Sequence, residues 1–326
     1  MGRPGAGRSR MSTVAIIGYG EVGRILAEDL RARGVAVTAY DLKLGPGDAA
    51  SAKAADAMRR HAGIHGTTLA ASHAAAVDGA PVVISAVTAS QAVPVAEACA
   101  PALAPRATFV DMNSASPGAK RRAAAVVDAA GARYVEAAVM TSVPPHRLAV
   151  PMLLGGPHAA AAVPVLQGLG FANARLGSVT PGVVSATKLC RSVVIKGLEA
   201  MLIESFTAAR HHGVEDAVIA SLAETFPGID WERQATYFFQ RVIEHGRRRA
   251  EELEEAAATV REAGLQPFSA AGTVARQAGI ADLADAGVFG DRSAHGFARA
   301  GDWRVEADRL LAAGPRHAAD PEDTSS

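Results

Sequence analysis

Residues 13–41, TVAIIGYGEVGRILAEDLRARGVAVTAYD, decide how this chain is built. The run TVAII is short, apolar and β-branched and stops at a glycine, as a strand buried on both faces does. EVGRILAEDLRARG then has helical spacing and closes on Gly34, and VAVTAY forms a second strand that ends at Asp41. Between strand and helix stands Gly18-Tyr19-Gly20-Glu21-Val22-Gly23, a G-x-G-x-x-G motif in the context that gives it meaning. Gly18 permits a tight turn, Gly20 lets backbone approach a pyrophosphate, and Gly23 lets the helix pack close to the sheet. The helix N-terminus adds amide donors and partial positive charge. A dinucleotide site over Gly18 to Gly23, Tyr19, Glu21 and Val22 included, is the reading this order supports.

Asp41 falls where a carboxylate accepts hydrogen bonds from the adenosine ribose and repels a 2′-phosphate, which favours NAD over NADP. Lys43 works the other way, and Asp41 is also a residue that a turn before KLGPG would use.

The pattern continues with strands in PVVISAV, ATFVDMN, RYVEAAVM and AVPMLLGG, and with a helical stretch around residues 94–103. Val87 and Thr88, at the end of PVVISAV, are counted with the cofactor site. Strands alternating with helices imply an α/β fold, a Rossmann-type doubly wound and mostly parallel sheet. Beyond Gly182 the periodicity is helical through Val183 to His212, DAVIASLAETF, TYFFQRVIEHGRRRAEELEEAAATVREAG and SAAGTVARQAG, so an all-helical domain follows. The expected organisation is a disordered extension over 1–11, a dinucleotide-binding domain over 12–180, a helical substrate and dimerisation domain over 181–312 and a disordered tail over 313–326.

Composition narrows the function classes. Lys plus Arg equal Asp plus Glu at 33 each among 326 residues, so no overall field favours nucleic acid. No apolar run reaches the roughly 18 residues needed to span a bilayer, and MGRPGAGRSR lacks the apolar centre of a secretory signal. Cys99 and Cys190 stand far apart in sequence without metal-type spacing, so no disulfide framework or metal is expected and a cytoplasmic setting fits.

The glycine motif, DMNSASP at residues 111–117, and Lys188 in the long helical run together resemble the β-hydroxyacid dehydrogenase superfamily, which includes 3-hydroxyisobutyrate and 6-phosphogluconate dehydrogenases. The resemblance spans about residues 12–280, and RSVVIKGLEA and HGRRRAEE are most similar to the branch with a DUF1932 C-terminal domain. It implies that Asp111, Asn113, Ser114, Ser116 and Pro117 form a substrate segment, with Asn113 and Ser114 touching substrate. Read without the family, Asn113 and Ser114 could equally cap a helix starting near Pro117. The family's next segment is altered here to EAAVMTS, so Met140, Thr141 and Ser142 replace Ser-Gly-Gly and a different substrate is implied.

The family places a catalytic lysine on the helix after the sheet with an asparagine four residues later. Lys188 matches the lysine, and Ser192, one turn on and on the same face, replaces the asparagine. Lys188 would then move a proton as hydride passes to or from a nicotinamide. The alternative is a surface lysine whose stem covers apolar neighbours. Lys196, two turns on, is either structural or near the mouth of the cleft. His245 falls where relatives carry a lysine and retains a donor for the substrate. Arg247, Arg248 and Arg249 alternate with acids as on a solvated helix, although one could reach an anionic substrate.

The resemblance thus implies an NAD(P)-dependent oxidoreductase acting on a hydroxy acid or its carbonyl form, and a homodimer through the helical half. Decarboxylating relatives carry a glutamate seven residues after the lysine, where this chain has Ile195, so oxidation without decarboxylation is expected. An imine reductase shares the architecture but usually replaces the lysine. A dinucleotide-binding sensor without chemistry is the reading from a different class.

Overall fold

The computed structural model describes residues 13–45, 47–290 and 300–314. The expected extension over 1–11, and the tail beyond residue 314, lie outside the described residues. Contacts divide the chain into two units, Met1–Leu189 and Cys190–Ser326.

The first unit is built on eight strands: β1 Thr13–Ile17, β2 Ala36–Tyr40, β3 Thr68–Leu69, β4 Val82–Ser85, β5 Thr108–Asp111, β6 Arg133–Val139, β7 Met152–Gly155 and β8 Ala174–Ser178. They form one sheet in the order β3-β2-β1-β4-β5-β6-β7-β8. Neighbouring strands pair parallel, except that β6 and β7 run antiparallel. Helices α1 Glu21–Ala32, α2 Ala49–His65, α3 His73–Val77, α4 Ala92–Cys99, α5 Pro117–Ala129 and α6 Ala159–Leu169 connect them.

Alternation along β1 shows why both faces need cover. Val14 and Ile16 join one core with Leu26 and Leu30 of α1, Met58 and Ala62 of α2, and Leu166 of α6. Ala15 and Ile17 join the opposite core with Val77 of α3, Val95 and Cys99 of α4, and Val127 of α5. Helix α1 buries Gly23, Leu26, Ala27 and Leu30, one stripe at helical spacing. Each of its two leucines contributes about 1.5–3 kcal/mol by leaving water. The helix stops because Gly34 takes a φ of 79°, which lets the Val35 N–H reach the Leu30 carbonyl at 3.0 Å.

Several details of the first unit depart from the sequence reading. The helical stretch expected over 94–103 ends its α-helix at Cys99 and continues as a 3₁₀ turn, Ala100–Ala102, with a proline near its start. Strands β3 and β8 lacked a sequence signal because both are edges: β3 has two residues, and ARLGS in β8 is largely exposed. Helix α2 was also unread, since its buried residues, Ala55, Met58 and Ala62, form a weak apolar stripe.

Helix α7, Val183–His212, begins in the first unit and continues into the second, where α8 Glu215–Thr225, α9 Trp231–Glu262, α10 Phe268–Asp285 and α11 Trp303–Ala313 follow. No strand occurs among the described residues of this unit. Phe206 of α7, Phe239 and Val242 of α9, Ile280 of α10 and Trp303 of α11 meet in its core. Helix α11 was not read from sequence, and it reaches Ala313, where the tail was expected to begin. Cys99 is fully buried and Cys190 exposed. Among the described residues, no helix is long and apolar enough to cross a membrane.

Candidate functional site

Strands β1, β4 and β5 run parallel side by side, so the loops that follow them emerge at one end of the sheet. Sheet order reverses between β1 and β4, the point where ligands settle in open α/β sheets.

The turn after β1 assigns each glycine a separate task. Gly18 has a φ of 93°, its N–H donates to the Tyr40 carbonyl at 2.9 Å, and an added Cβ would stand 2.3 Å from the Ala86 carbonyl oxygen. A Cβ on Gly23 would stand 1.9 Å from the Gly18 carbonyl oxygen, so α1 packs against the turn backbone to backbone. Gly20 differs: a Cβ there meets nothing within 4 Å, and it caps α1 without any side-chain hydrogen bond. The helix therefore opens on uncrowded space edged by first-turn amides.

Asp41 braces this turn. Its Oδ2 accepts from the Tyr19 N–H at 2.8 Å and its Oδ1 from the Lys43 N–H at 2.9 Å. The aspartate thus caps the 3₁₀ turn Leu42–Leu44, as the turn-forming alternative required, while standing at the end of β2 where a ribose would lie. The Tyr19 ring is fully buried in the core, so its side chain faces away from the ligand space. Glu21 is exposed and Val22 half-buried.

After β4, half-buried Val87 donates its N–H to Asn113 Oδ1 at 2.7 Å, and exposed Thr88 begins a 3₁₀ turn, Ala89–Gln91. Asn113 is buried, and its amide also donates to Ser85 Oγ at 2.9 Å. It holds the ends of β4 and β5 together. The helix cap anticipated at Asn113 or Ser114 is made instead by Ser116, whose Oγ accepts from the Ala119 N–H at 3.3 Å, with Pro117 opening α5.

Behind the loop sits a polar network that the sequence reading missed. Asp111 Oδ1 is 2.8 Å from Lys120 Nζ, its Oδ2 accepts from the Tyr134 hydroxyl at 2.7 Å, and all three residues are almost fully buried. Burial beside Asp111 pushes the Tyr134 phenol well above its usual value. Two residues along β6, Glu136 reaches the start of α7. Its Oε1 accepts from Gly182 N–H at 2.9 Å and Val184 N–H at 3.4 Å, and its Oε2 accepts from Ser185 Oγ at 2.9 Å. These bonds satisfy amides that a helix start leaves open. Burial nevertheless pushes the Glu136 carboxyl above its usual range. Room for it comes from Gly155, where a Cβ would lie 2.3 Å from Oε1. A glutamate inside the apolar run RYVEAAV was the available signal, because buried acids require partners.

One turn beyond Val184, half-buried Lys188 donates from Nζ to Ser114 Oγ at 2.6 Å. Lys188 and Ser114 therefore meet at the carboxyl end of the sheet. Met140 is half-buried just after β6, with Thr141 and Ser142 exposed beside it. In the second unit, Ser192 is half-buried on α7 and His245 is exposed on α9. Lys196 is structural in its contacts: buried, it pairs with Glu252 at 2.7 Å, and burial draws its pKa down. The solvated-helix reading of the arginine run fails at Arg249, which is buried and bonded to Glu199. That face of α9 lies against α10, where a Cβ on Gly246 would come within 2.7 Å of the Gln277 carbonyl oxygen.

Residues 13–176 match the NAD binding domain of 6-phosphogluconate dehydrogenase, and residues 209–280 match the domain of unknown function DUF1932. The chain belongs to the 6-phosphogluconate dehydrogenase NAD-binding family. A conserved hypothetical protein from Sinorhizobium meliloti 1021 is 34% identical, covering 93% of this chain and 97% of its own, with a TM-score of 0.73. Conserved protein MTH1747, of unknown function and structurally similar to 3-hydroxyacid dehydrogenases, is 29% identical over 84% of this chain and 98% of its own, with a TM-score of 0.65. The 3-hydroxyisobutyrate dehydrogenase of Mycobacterium tuberculosis, solved with L-serine, shares the fold at 18% identity and a TM-score of 0.67, covering 92% of this chain and 99% of its own. No curated protein matches the chain. The glycine turn described above lies within the residues that match the NAD binding domain.

Proposed function

We propose that this NAD-binding chain is an oxidoreductase of the β-hydroxyacid dehydrogenase type, interconverting a hydroxy acid and its carbonyl form without decarboxylation. The observation that carries the reading is the 2.6 Å bond from Lys188 Nζ to Ser114 Oγ, at the end of the sheet where the glycine turn opens. A bound nicotinamide supplies or accepts the hydride. In the reducing direction, Lys188 donates a proton to the carbonyl oxygen as the hydroxyl forms; in the oxidising direction it takes that proton back. Ser114 orients the ammonium, and Asn113 shapes the site from behind by fixing Val87. Glu136 and Ser185 set the position of the helix that delivers the lysine. Met140 and Ser142, beside the end of β6, are proposed for substrate contact.

Asp41 supports NAD over NADP, because its carboxylate would meet a 2′-phosphate with like charge. The ratio of NADH to NADPH dissociation constants measures that preference, and a ratio near one removes it. For the homodimer, support comes from α7, where Val194, Leu198 and Met201 are 60%, 40% and 62% exposed at helical spacing. Sedimentation at micromolar concentration reads the assembly, and a monomer there rejects it.

NADH oxidation across β-keto acids, semialdehydes and imines, in the wild type and Lys188→Ala, tests the chemistry. Turnover of a carbonyl acid is expected, falling about a hundredfold or more in the variant with NADH affinity nearly intact. Equal turnover in the two proteins removes Lys188 from the mechanism. Tight NADH binding with no turnover of any compound would favour the sensor.

A further inference from the structure

A second cluster of ligand-type side chains stands between α1 and α2. His61 and His65 are four residues apart on α2, so their imidazoles leave the same face of the helix. Their ring centroids are 4.4 Å apart. Glu28 of α1 faces them: a carboxylate oxygen of Glu28 and one ring nitrogen from each histidine all lie within 4.8 Å of one another, and all three residues are half-buried. His61 is also oriented from outside the trio, because the Tyr19 hydroxyl is 2.9 Å from its Nδ1 and the two rings meet edge to face at 5.6 Å. With Nδ1 occupied by Tyr19, Nε2 is the nitrogen left to bind an ion.

We propose that Glu28, His61 and His65 form a binding site for a divalent transition ion of zinc-like preference, with Tyr19 as its outer hydrogen-bond partner. Two imidazoles and one carboxylate are a donor set that suits zinc, and a fourth position would fall to water. Metal–ligand distances of about 2.0–2.2 Å place donors of one ion well inside the 4.8 Å that bounds this trio, so any adjustment needed is within reach of side-chain rotation. Two cations oppose the ion. Arg147 Nη2 is 3.2 Å from Glu28 Oε2, but its guanidinium is held more closely by Asp29, with Nε at 2.8 Å and Nη2 at 2.5 Å from Oδ1. Glu28 can therefore turn to an ion while Arg147 keeps a partner. Arg24 is the second, and its guanidinium is tethered by a 3.2 Å bond from Nε to the Gly20 carbonyl. These charges set a moderate affinity rather than a buried structural one. The site stands apart from the redox reading, and its failure would leave that reading untouched.

Untagged protein, stripped with chelator, should be titrated with Zn²⁺ by calorimetry and with Co²⁺ by visible absorption. One equivalent per chain is expected, with the intense visible bands of a low-coordinate cobalt site. The pair His61→Ala and His65→Ala together should abolish this uptake, and Glu28→Gln should weaken it roughly tenfold or more, on the scale by which even outer-shell changes act. Circular dichroism and NADH affinity check that the double variant is folded; if it is not, His65→Gln alone should weaken binding by at least about tenfold. Saturable uptake unchanged in these variants, or none in the wild type, would overturn the proposal.

Discussion

Three glycines of one motif have different neighbours, and substitution should separate them. Gly23→Ala drives a methyl group into the Gly18 carbonyl oxygen at 1.9 Å, a clash between backbones that no rotamer relieves. It should destabilise the protein by about 1–3 kcal/mol. Gly20→Ala meets no protein atom within 4 Å, so its unfolding midpoint should stay close to the wild type. Its NADH affinity should nevertheless fall, because the methyl group enters the position proposed for the cofactor phosphates. Thermal melts with NADH titrations check both, and a Gly20→Ala protein that binds NADH normally would remove the phosphate from that space. These roles were legible in the order strand, glycines, helix. The burial of the Tyr19 ring was not, because the residue's place in the motif fixes only its backbone. Nor was the pairing of His61 with His65, since two histidines one turn apart are an ordinary helix pattern and Glu28, the third donor, lies on a different helix.

Among elements, the ends of β5 and β6 carry more than their apolar pattern announced. Asp111 lies at the head of the recognised segment, but its carboxylate is turned to Lys120 and Tyr134, 9 and 23 residues further along the chain. No spacing rule connects them, which is why the segment was legible and its support was not. Lys120→Met leaves the Asp111 charge in the interior without its cation. That change should cost about 3–5 kcal/mol, far more than the loss of an exposed pair. Urea unfolding measures it, and a loss below about 1 kcal/mol would mean that water reaches the site. The loop bearing Ser114 should loosen with it, raising KM more than it lowers the affinity for NADH.

For the molecule as a whole, alternation of strands and helices followed by helices alone was enough to foresee a doubly wound sheet and a helical half. Edge strands escaped because short or exposed elements show no strong period, and α11 because it buries only Trp303, Glu306 and Ala307, one of them an acid. Helix α11 is held by two arginine hubs: Arg304 bonds Glu232 at 2.7 Å and Asp216 at 3.0 Å, and Arg210 bonds Asp308 at 2.8 Å and Glu215 at 2.6 Å. Hydrogen bonds from Arg304 hold the Glu232 carboxyl below its usual value, and those from Arg210 do the same for Glu215 and Asp308. Their folded values lie below their unfolded ones, so the stabilisation is complete above roughly pH 4–5 and is lost as pH falls through the lowered values. Both tryptophans, Trp231 and Trp303, belong to this unit, so their fluorescence should report a melting midpoint that drops between about pH 5 and 3. Arg210→Ala combined with Arg304→Ala should flatten that dependence; an unchanged slope would assign it to other groups.

The two thiols have opposite surroundings. Cys99 is fully enclosed, and burial pushes its thiol up to about 12, whereas Cys190 is open to solvent two residues after Lys188. A maleimide dye added to the unmodified sequence should thus attach at a single position, and because Cys190 shares the α7 face of Val194, Leu198 and Met201, the proposed homodimer should slow that attachment. The wild-type chain comes with its own handle for following subunit association by fluorescence, with no engineered cysteine needed.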